Sequence, residues 1–172
     1  GMKGREALLG TILDRVDTEL FDACPGLKIV ANFGVGFNNI DVAAATARKI
    51  PVTNTPGVLT DATADMTFAL LLAVARRLGE GERIVRAAPW EGWHKLQLLA
   101  TDVTGATLGV NGFGRIGQAV ARRAKAFGMQ VIYWNRSPLP ESAEFDATPV
   151  SFEAALRQSD FISLHVAYNS ET

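Results

Sequence analysis

Short apolar runs alternate with helical patterns along this chain. Residues 107–111 and 130–134 are short apolar runs of β character, which predicts two buried strands. Between them, apolar positions recur every three or four residues over 116–127 and predict an amphipathic helix that Gly128 ends. Strand, turn, helix and strand in this order predict an α/β fold built on a doubly wound parallel sheet.

The rest of the chain carries weaker patterns of the same two kinds. Before residue 60 they predict, in order, a helix within 4–16, a helix over 17–24, a strand over 27–32, a helix over 41–49 and a strand over 50–54. Pro51 places the last of these strands at a sheet edge, or else opens it. After residue 137 they predict a loop over 138–144, a strand over 148–151, a helix over 152–158 and a strand over 161–165.

One predicted helix is apolar on nearly every side. It is predicted over 60–78, and between Met66 and Ala75 only Thr67 is polar. Such a helix must be buried on several sides, either at the centre of a domain or against a second copy of the chain. We favour the second arrangement. We therefore predict a homodimer with the stretch from Met66 to Ala75 in the contact, followed by an irregular arm over 79–93.

The composition excludes some classes of function. With 17 basic and 18 acidic side chains in 172 residues, the net charge of −1 gives no field that would attract nucleic acid or an anionic membrane. No apolar run in the sequence is long enough to cross a bilayer. The single cysteine, Cys24, cannot form an internal disulfide, which fits the reducing cytoplasm. We therefore predict a cytoplasmic protein without nucleic-acid or membrane partners.

The candidate chemistry begins at the turn after residue 111, where the chain has the pattern G-x-G-x-x-G. In this pattern Gly112 permits a tight turn, Gly114 lets the backbone approach a pyrophosphate, and Gly117 lets the helix pack closely on the strand. The helix that starts at Arg115 and Ile116 directs its free N–H groups and its dipole at the diphosphate. In this strand–turn–helix context the motif predicts a Rossmann-like dinucleotide site, with a purely structural tight turn as the alternative.

The end of the next strand indicates which dinucleotide binds. An acidic residue about 20 positions after the glycines would bind the ribose hydroxyls of NAD. The chain instead has Asn135, which carries no charge to repel a phosphate. Arg136 follows with a planar fork that suits a ribose phosphate, and Ser137 with a hydroxyl. We predict NADP(H) over NAD(H); a solvated Arg136 in a surface loop is the alternative.

Neither histidine is predicted to bind a metal or to act as a catalytic acid. His94 has no carboxylate, cysteine or second histidine at metal-ligand spacing, so no metal site is predicted. His165 ends a predicted strand, and ligands of open α/β sheets lie at this edge. We predict that His165 borders the nicotinamide, with a solvent-facing histidine as the alternative.

Three blocks resemble the D-isomer-specific 2-hydroxyacid dehydrogenases: residues 34–41, residues 55–76 and residues 107–117. Their order and spacing also match, so the resemblance covers nearly the whole chain. With residues 135–137, the chain is most similar to the glyoxylate/hydroxypyruvate reductase branch, whose members favour NADPH. One departure is Ala167, where many members of the family carry proline.

The resemblance implies a role for each part of the chain. In this family the N–H groups of the first glycine turn, here Val35 and Gly36, hold the substrate carboxylate. The helix start near Thr63 borders the nicotinamide, and the apolar helix with its arm forms the dimer contact. Residues 1–55 would be part of a smaller, flavodoxin-like substrate domain, and residues 56–172 would be the first half of the nucleotide-binding domain.

The resemblance also implies an incomplete chain. The family reduces a 2-keto acid by hydride transfer from the nicotinamide, with an arginine on the keto acid and a histidine–carboxylate pair as proton donor. All three residues belong to segments after the strand that ends at His165, and the family has a further strand and helix before Gly4. We therefore predict that this chain lacks both ends, contains no catalytic residue and reduces no keto acid by itself. A nucleotide-sensing corepressor on the same scaffold, or another NAD(P) enzyme such as a formate dehydrogenase, stays open.

Overall fold

The computed structural model describes residues 4–87, 92–137, 139 and 145–168. They form two compact units. The first unit comprises residues 4–59 with 167 and 168, and the second unit comprises Thr60–Val166. The loop predicted over 138–144 lies outside the described residues except for Leu139. Within the described ranges, no helix is both long and apolar enough to cross a membrane.

The first unit is a three-stranded parallel sheet with two short helices. Across the sheet the strands follow their order in the chain, and the elements are β1 (Ala7–Thr11), α1 (Thr18–Ala23), β2 (Ile29–Phe33), α2 (Val42–Ala47) and β3 (Val52–Thr53). The elements predicted after residue 16 are thereby confirmed, and β3 lies at the sheet edge, one of the two positions that Pro51 allows. The core of this unit is apolar and contains Val16, Phe21, Cys24, Leu27, Val30, Ile40 and Ala45.

The helix predicted within 4–16 is wrong, because this segment forms β1. That strand pairs with β2 residue by residue, from Ala7 with Ile29 to Thr11 with Phe33. The helical periodicity here is weak, and a short helix in isolation is only marginally stable in water. Pairing with a neighbouring strand, which is remote in sequence, therefore decided the structure of this segment.

The second unit is a four-stranded parallel sheet with helices on both faces. Its strands are β4 (Thr107–Asn111), β5 (Gln130–Trp134), β6 (Ala147–Pro149) and β7 (Phe161–Leu164), in the spatial order β6-β5-β4-β7. Its helices are α3 (Thr60–Ala75), α4 (Leu78–Ala87), α5 (Arg115–Ala126) and α6 (Phe152–Gln158). Val110 lies against α5 at Gly117, and the preceding residue of β4, Gly109, lies against Ala155 of α6. The predicted strand–turn–helix–strand unit is confirmed, and the strand order reverses between β4 and β7.

Helix α3 ends at Ala75 and does not reach Leu78 as predicted. Arg77 has a φ of 53°, in the left-handed region, so the helical path is broken there and α4 starts anew at Leu78. The irregular arm predicted over 79–93 is wrong for residues 79–87, which belong to α4.

One side of α3 packs on α5 and another side is exposed. The rings of Phe68 and Phe127 stack with their centroids 5.2 Å apart. The Arg123 guanidinium bonds to the Asp65 carboxylate at 2.6 Å, and this bond raises the pKa of Arg123. Three large apolar side chains of α3 are 60%, 60% and 76% exposed, and they are Met66, Leu70 and Val74. Within the described chain, α3 is therefore not the fully enclosed helix at the centre of a domain, and its burial against a second copy stays a prediction.

Two asparagine side chains are buried, and they differ in their hydrogen bonds. Asn32 of β2 is 3% exposed, and its Nδ2 donates to the Gly36 carbonyl at 2.7 Å. Asn111, the last residue of β4, is 1% exposed, and neither of its amide atoms has a partner among the described residues. A buried polar group without a partner costs about 1–3 kcal/mol. The unpaired amide of Asn111 therefore lowers the stability of the second unit.

We expect Asn111→Val to raise the free energy of unfolding by about 1–3 kcal/mol, because an apolar side chain then replaces the unpaired amide. Asn32→Val is the matched control, and it should lower this free energy because it removes the hydrogen bond to Gly36. Urea denaturation followed by circular dichroism measures both variants. A lower midpoint for Asn111→Val would show that the amide is satisfied in solution, for example by an ordered water.

Candidate functional site

The glycine turn after β4 uses each of its three glycines differently. Gly112 has a φ of 94°, and a Cβ there would lie 2.6 Å from the backbone carbonyl of His165. A Cβ on Gly117 would collide with the Gly112 carbonyl, so this glycine lets α5 start close to β4. A Cβ on Gly114 would meet no atom within 4 Å among the described residues. Packing thus explains Gly112 and Gly117, whereas Gly114 borders open space.

Helix α5 starts at this open space. Its N-cap is Gly114, in an extended conformation, and no side chain of the described residues caps it. Arg115 is exposed, and Ile116 is half-buried against the core of the second unit. Because the first N–H groups of a helix need acceptors and carry the positive end of its dipole, this start is suited to an anion.

The residues at the end of β5 lie beside the same turn. Asn135 Oδ1 accepts from the Phe113 N–H at 3.1 Å, and its Nδ2 donates to the Ser137 carbonyl at 2.8 Å. Arg136 and Ser137 are exposed. The structure therefore brings Asn135 to the glycine turn as a neutral link between two loops. Its bond to Phe113 was not foreseen from the sequence, because two residues 22 positions apart give no local pattern.

His165 follows β7 and lies next to the glycine turn. Its backbone N–H donates to the Asn111 carbonyl at 2.7 Å, and its Nε2 is 2.8 Å from the Ser163 hydroxyl oxygen. Burial lowers the pKa of His165, so its imidazole is neutral near pH 7. The ring borders a groove of about 400 Å³ between α3 and β7, which Thr67 also lines. Thr63 lies one turn earlier on α3, and its carbonyl accepts from the Thr67 hydroxyl at 2.8 Å.

The other predicted site residues, Val35 and Gly36, belong to the first unit. They follow Gly34, and all three residues use their carbonyls as acceptors. The donors are the Thr55 N–H to Gly34 at 3.0 Å, Asn54 Nδ2 to Val35 at 2.9 Å and Asn32 Nδ2 to Gly36 at 2.7 Å. Val35 and Gly36 are exposed, and their N–H groups have no partner among the described residues.

Asn32 and Asn54 were missed in the sequence. They stand at or just beyond the carboxyl ends of β2 and β3, which are neighbours in a parallel sheet. Since such ends meet at one edge, that position was the signal that could have found them. Within the described ranges, no group of three His, Cys, Asp or Glu side chains is placed to hold a metal ion.

Known proteins share this sequence and architecture. The profile of the family described as D-isomer specific 2-hydroxyacid dehydrogenase, NAD binding domain, matches residues 68–172. The glyoxylate reductase of Thermococcus litoralis is 55% identical to the chain, over 97% of this chain and 52% of its own length.

Two solved structures extend this likeness to three dimensions. A protein of Thermus thermophilus has a TM-score of 0.92 and 48% identity, over 99% of this chain and 54% of its own. The D-lactate dehydrogenase of Aquifex aeolicus, solved with NAD and lactic acid, has a TM-score of 0.91 and 33% identity, over 99% of this chain and 50% of its own. The chain therefore spans about half the length of the relatives that it matches.

These matches confirm the predicted doubly wound, Rossmann-like fold of the second unit, with its glycine turn between β4 and α5. They also agree with the resemblance carried by the two glycine turns and the apolar helix. The chain belongs to the D-isomer specific 2-hydroxyacid dehydrogenase family, and it is similar to the glyoxylate reductases within that family.

Proposed function

We propose that the whole protein is an NADP(H)-dependent reductase of small 2-keto acids of the glyoxylate or hydroxypyruvate type. The observation that carries this proposal is the start of α5, where an uncapped helix and Gly114 border open space and Asn135 bonds to the same turn. A diphosphate fits there because Gly114 leaves room for it and the helix supplies N–H donors. The nicotinamide, when bound, supplies or accepts the hydride.

In this proposal each unit holds one part of the reaction. The first unit is part of the substrate domain, and the N–H groups of Val35 and Gly36 bind the carboxylate of the keto acid. The second unit is part of the nucleotide-binding domain, where residues 112–117 hold the diphosphate and Thr63 and His165 border the nicotinamide. No residue of this chain is assigned as the proton donor, so we propose that the chain by itself is inactive.

The preference for NADP(H) rests on the side chains after β5. Asn135 is neutral and already engaged with the glycine turn, so it offers no carboxylate to the ribose hydroxyls. Arg136 is exposed at the same loop and has the planar geometry that binds a phosphate through two hydrogen bonds. The ribose phosphate of NADP(H) would therefore gain a cationic partner there.

A homodimer is part of the same proposal. Met66, Leu70 and Val74 follow one another at four-residue spacing and form an exposed apolar stripe on α3. A stripe of this kind in a helix is commonly covered by a partner, and a second copy of this chain would cover it.

We place the protein in the cytoplasm, since its one cysteine, Cys24, is buried and unpaired.

Gly114→Ser tests the dinucleotide site. Serine is a better N-cap than glycine, so folding should be kept, while its side chain fills the open space and caps a donor that the diphosphate needs. We expect NADPH to bind roughly ten- to a hundredfold more weakly, measured by isothermal titration calorimetry. Gly79→Ser, on the exposed start of α4, is the control and should bind as the wild type does. If the wild type and both variants bind NADPH equally well, the diphosphate does not bind at the start of α5.

Arg136→Glu tests the cofactor preference. It sets a carboxylate against the ribose phosphate, so NADPH affinity should fall about a hundredfold while NADH affinity changes little. Lys125→Glu makes the same change of charge on an exposed residue near the end of α5 and is the matched control. Fluorescence titration with both cofactors measures the effect. An equal loss for NADPH and NADH would show that Arg136 has only a structural role.

Val74→Asp tests the dimer. Light scattering of the wild-type chain should give about twice its mass of 18.4 kDa, and the charged variant should give a monomer because a carboxylate would be buried without a partner. Leu13→Asp, at an apolar residue that is 89% exposed in the first unit, is the control and should stay dimeric. A monomeric wild type at high concentration would contradict this part of the proposal.

A further inference from the structure

We propose that Asn54 and Asn32 are positioning residues, which hold the two peptide groups on either side of Gly36 in the orientation that binds a substrate carboxylate. This inference rests on the proposed function, in which the first glycine turn receives that carboxylate. It adds two side chains that act through the backbone, and it adds the N–H group of Phe37 as a further donor.

Each peptide group couples the carbonyl of one residue to the N–H of the next. In a trans peptide the C=O of one residue and the N–H of the next point in opposite directions in one plane, and the described chain has no cis peptide. A hydrogen bond that fixes a carbonyl therefore also fixes the N–H group behind it. In this turn, three consecutive carbonyls are fixed in this way, those of Gly34, Val35 and Gly36.

Asn54 determines the orientation of the Gly36 N–H. Its Nδ2 donates to the Val35 carbonyl at 2.9 Å, which belongs to the same peptide group as that N–H. Asn54 is half-buried and follows β3, so it reaches the turn from the neighbouring strand. The next residue, Thr55, holds the Gly34 carbonyl through its backbone N–H, a bond that no side-chain substitution removes.

Asn32 does the same for the N–H group of Phe37. Its Nδ2 donates to the Gly36 carbonyl at 2.7 Å, and its own Oδ1 accepts from Asn39 Nδ2 at 3.3 Å. Asn39 in turn is anchored to the carbonyls of Thr11 and Asp14 at 3.1 and 2.9 Å. Because Asn32 is 3% exposed, its amide has little freedom to rotate away from the turn.

The result is a preorganised set of donors on an exposed loop. Phe37 is 52% exposed, and its N–H group, like that of Gly36, has no partner among the described residues. Without the asparagine side chains, an exposed turn with glycines at positions 34 and 36 would sample many conformations. Holding the donors in place before binding reduces the entropy lost when the carboxylate binds.

The test uses the ¹⁵N-labelled 172-residue chain and oxalate, a small carboxylate probe, in a nuclear magnetic resonance titration. In the wild type, oxalate should shift the amide signals of Gly36 and Phe37. Asn54→Ala should weaken oxalate binding about tenfold and change the signal of the free Gly36 amide, while the urea midpoint stays near that of the wild type. Asn38→Ala, at an exposed asparagine of the same loop, is the matched control and should bind as the wild type does.

Asn32→Leu is the second variant, since it keeps the size of the buried side chain, adds no charge and removes the donor to Gly36 together with the acceptor for Asn39. It should also weaken oxalate binding, with a changed Phe37 signal. If the wild type responds to oxalate and both variants bind it equally well, the positioning role is wrong while the proposed carboxylate site stands. If the wild-type amides do not respond to oxalate, the proposed carboxylate site is wrong and this inference falls with it.

Discussion

The approach of bare backbone at Gly112 to the backbone of His165 is the contact on which the second unit depends. There is no room for a Cβ between them, and the φ of 94° at Gly112 is one that other residues rarely adopt. The Gly112 N–H also donates to the Trp134 carbonyl at 2.9 Å, so the turn is tied to β5 on one side and lies against the end of β7 on the other. The start of α5, and the open space in front of it, follow from this fixed turn.

An asparagine side chain holds each of the two glycine turns, but the direction of the hydrogen bond differs between them. In the second unit, the Asn135 oxygen accepts from the N–H of Phe113, which occupies one backbone donor, while no side chain of the described residues caps the start of α5. In the first unit, Asn32 and Asn54 donate to carbonyls and leave the N–H groups available. A neutral amide serves both purposes because it carries a donor and an acceptor on one short side chain. In the proposed function, each turn receives an anionic group on backbone N–H groups.

The sequence predicted most of the elements that carry these turns. The predicted bounds of β4, β5 and α6 agree with the structure at both ends, since strong apolar runs or helical periodicity mark them and glycine, proline or serine flanks them. Prediction failed where the local pattern was weak or continuous. Strand β1 depends on pairing with β2, and α3 ends at Ala75, before the left-handed Arg77, where no proline or glycine marks the break. For the candidate site, the glycines and residues 135–137 could be named in advance. The bonds of Asn32 and Asn54 to the turn could not, because each depends on how a segment elsewhere in the chain packs.

By itself, the sequence determined the local features: most of the strands and helices, though not β1 or α4, both glycine turns, and the absence of a carboxylate at Asn135. These are short-range properties, set by side-chain size, backbone freedom and periodicity over a few residues. The tertiary structure decided which of those features meet. It placed His165 against Gly112, left one stripe of α3 exposed, and set Asn32 and Asn54 behind the turn at Gly36. Such contacts join residues far apart in the chain, and their geometry exists only after the sheets have formed.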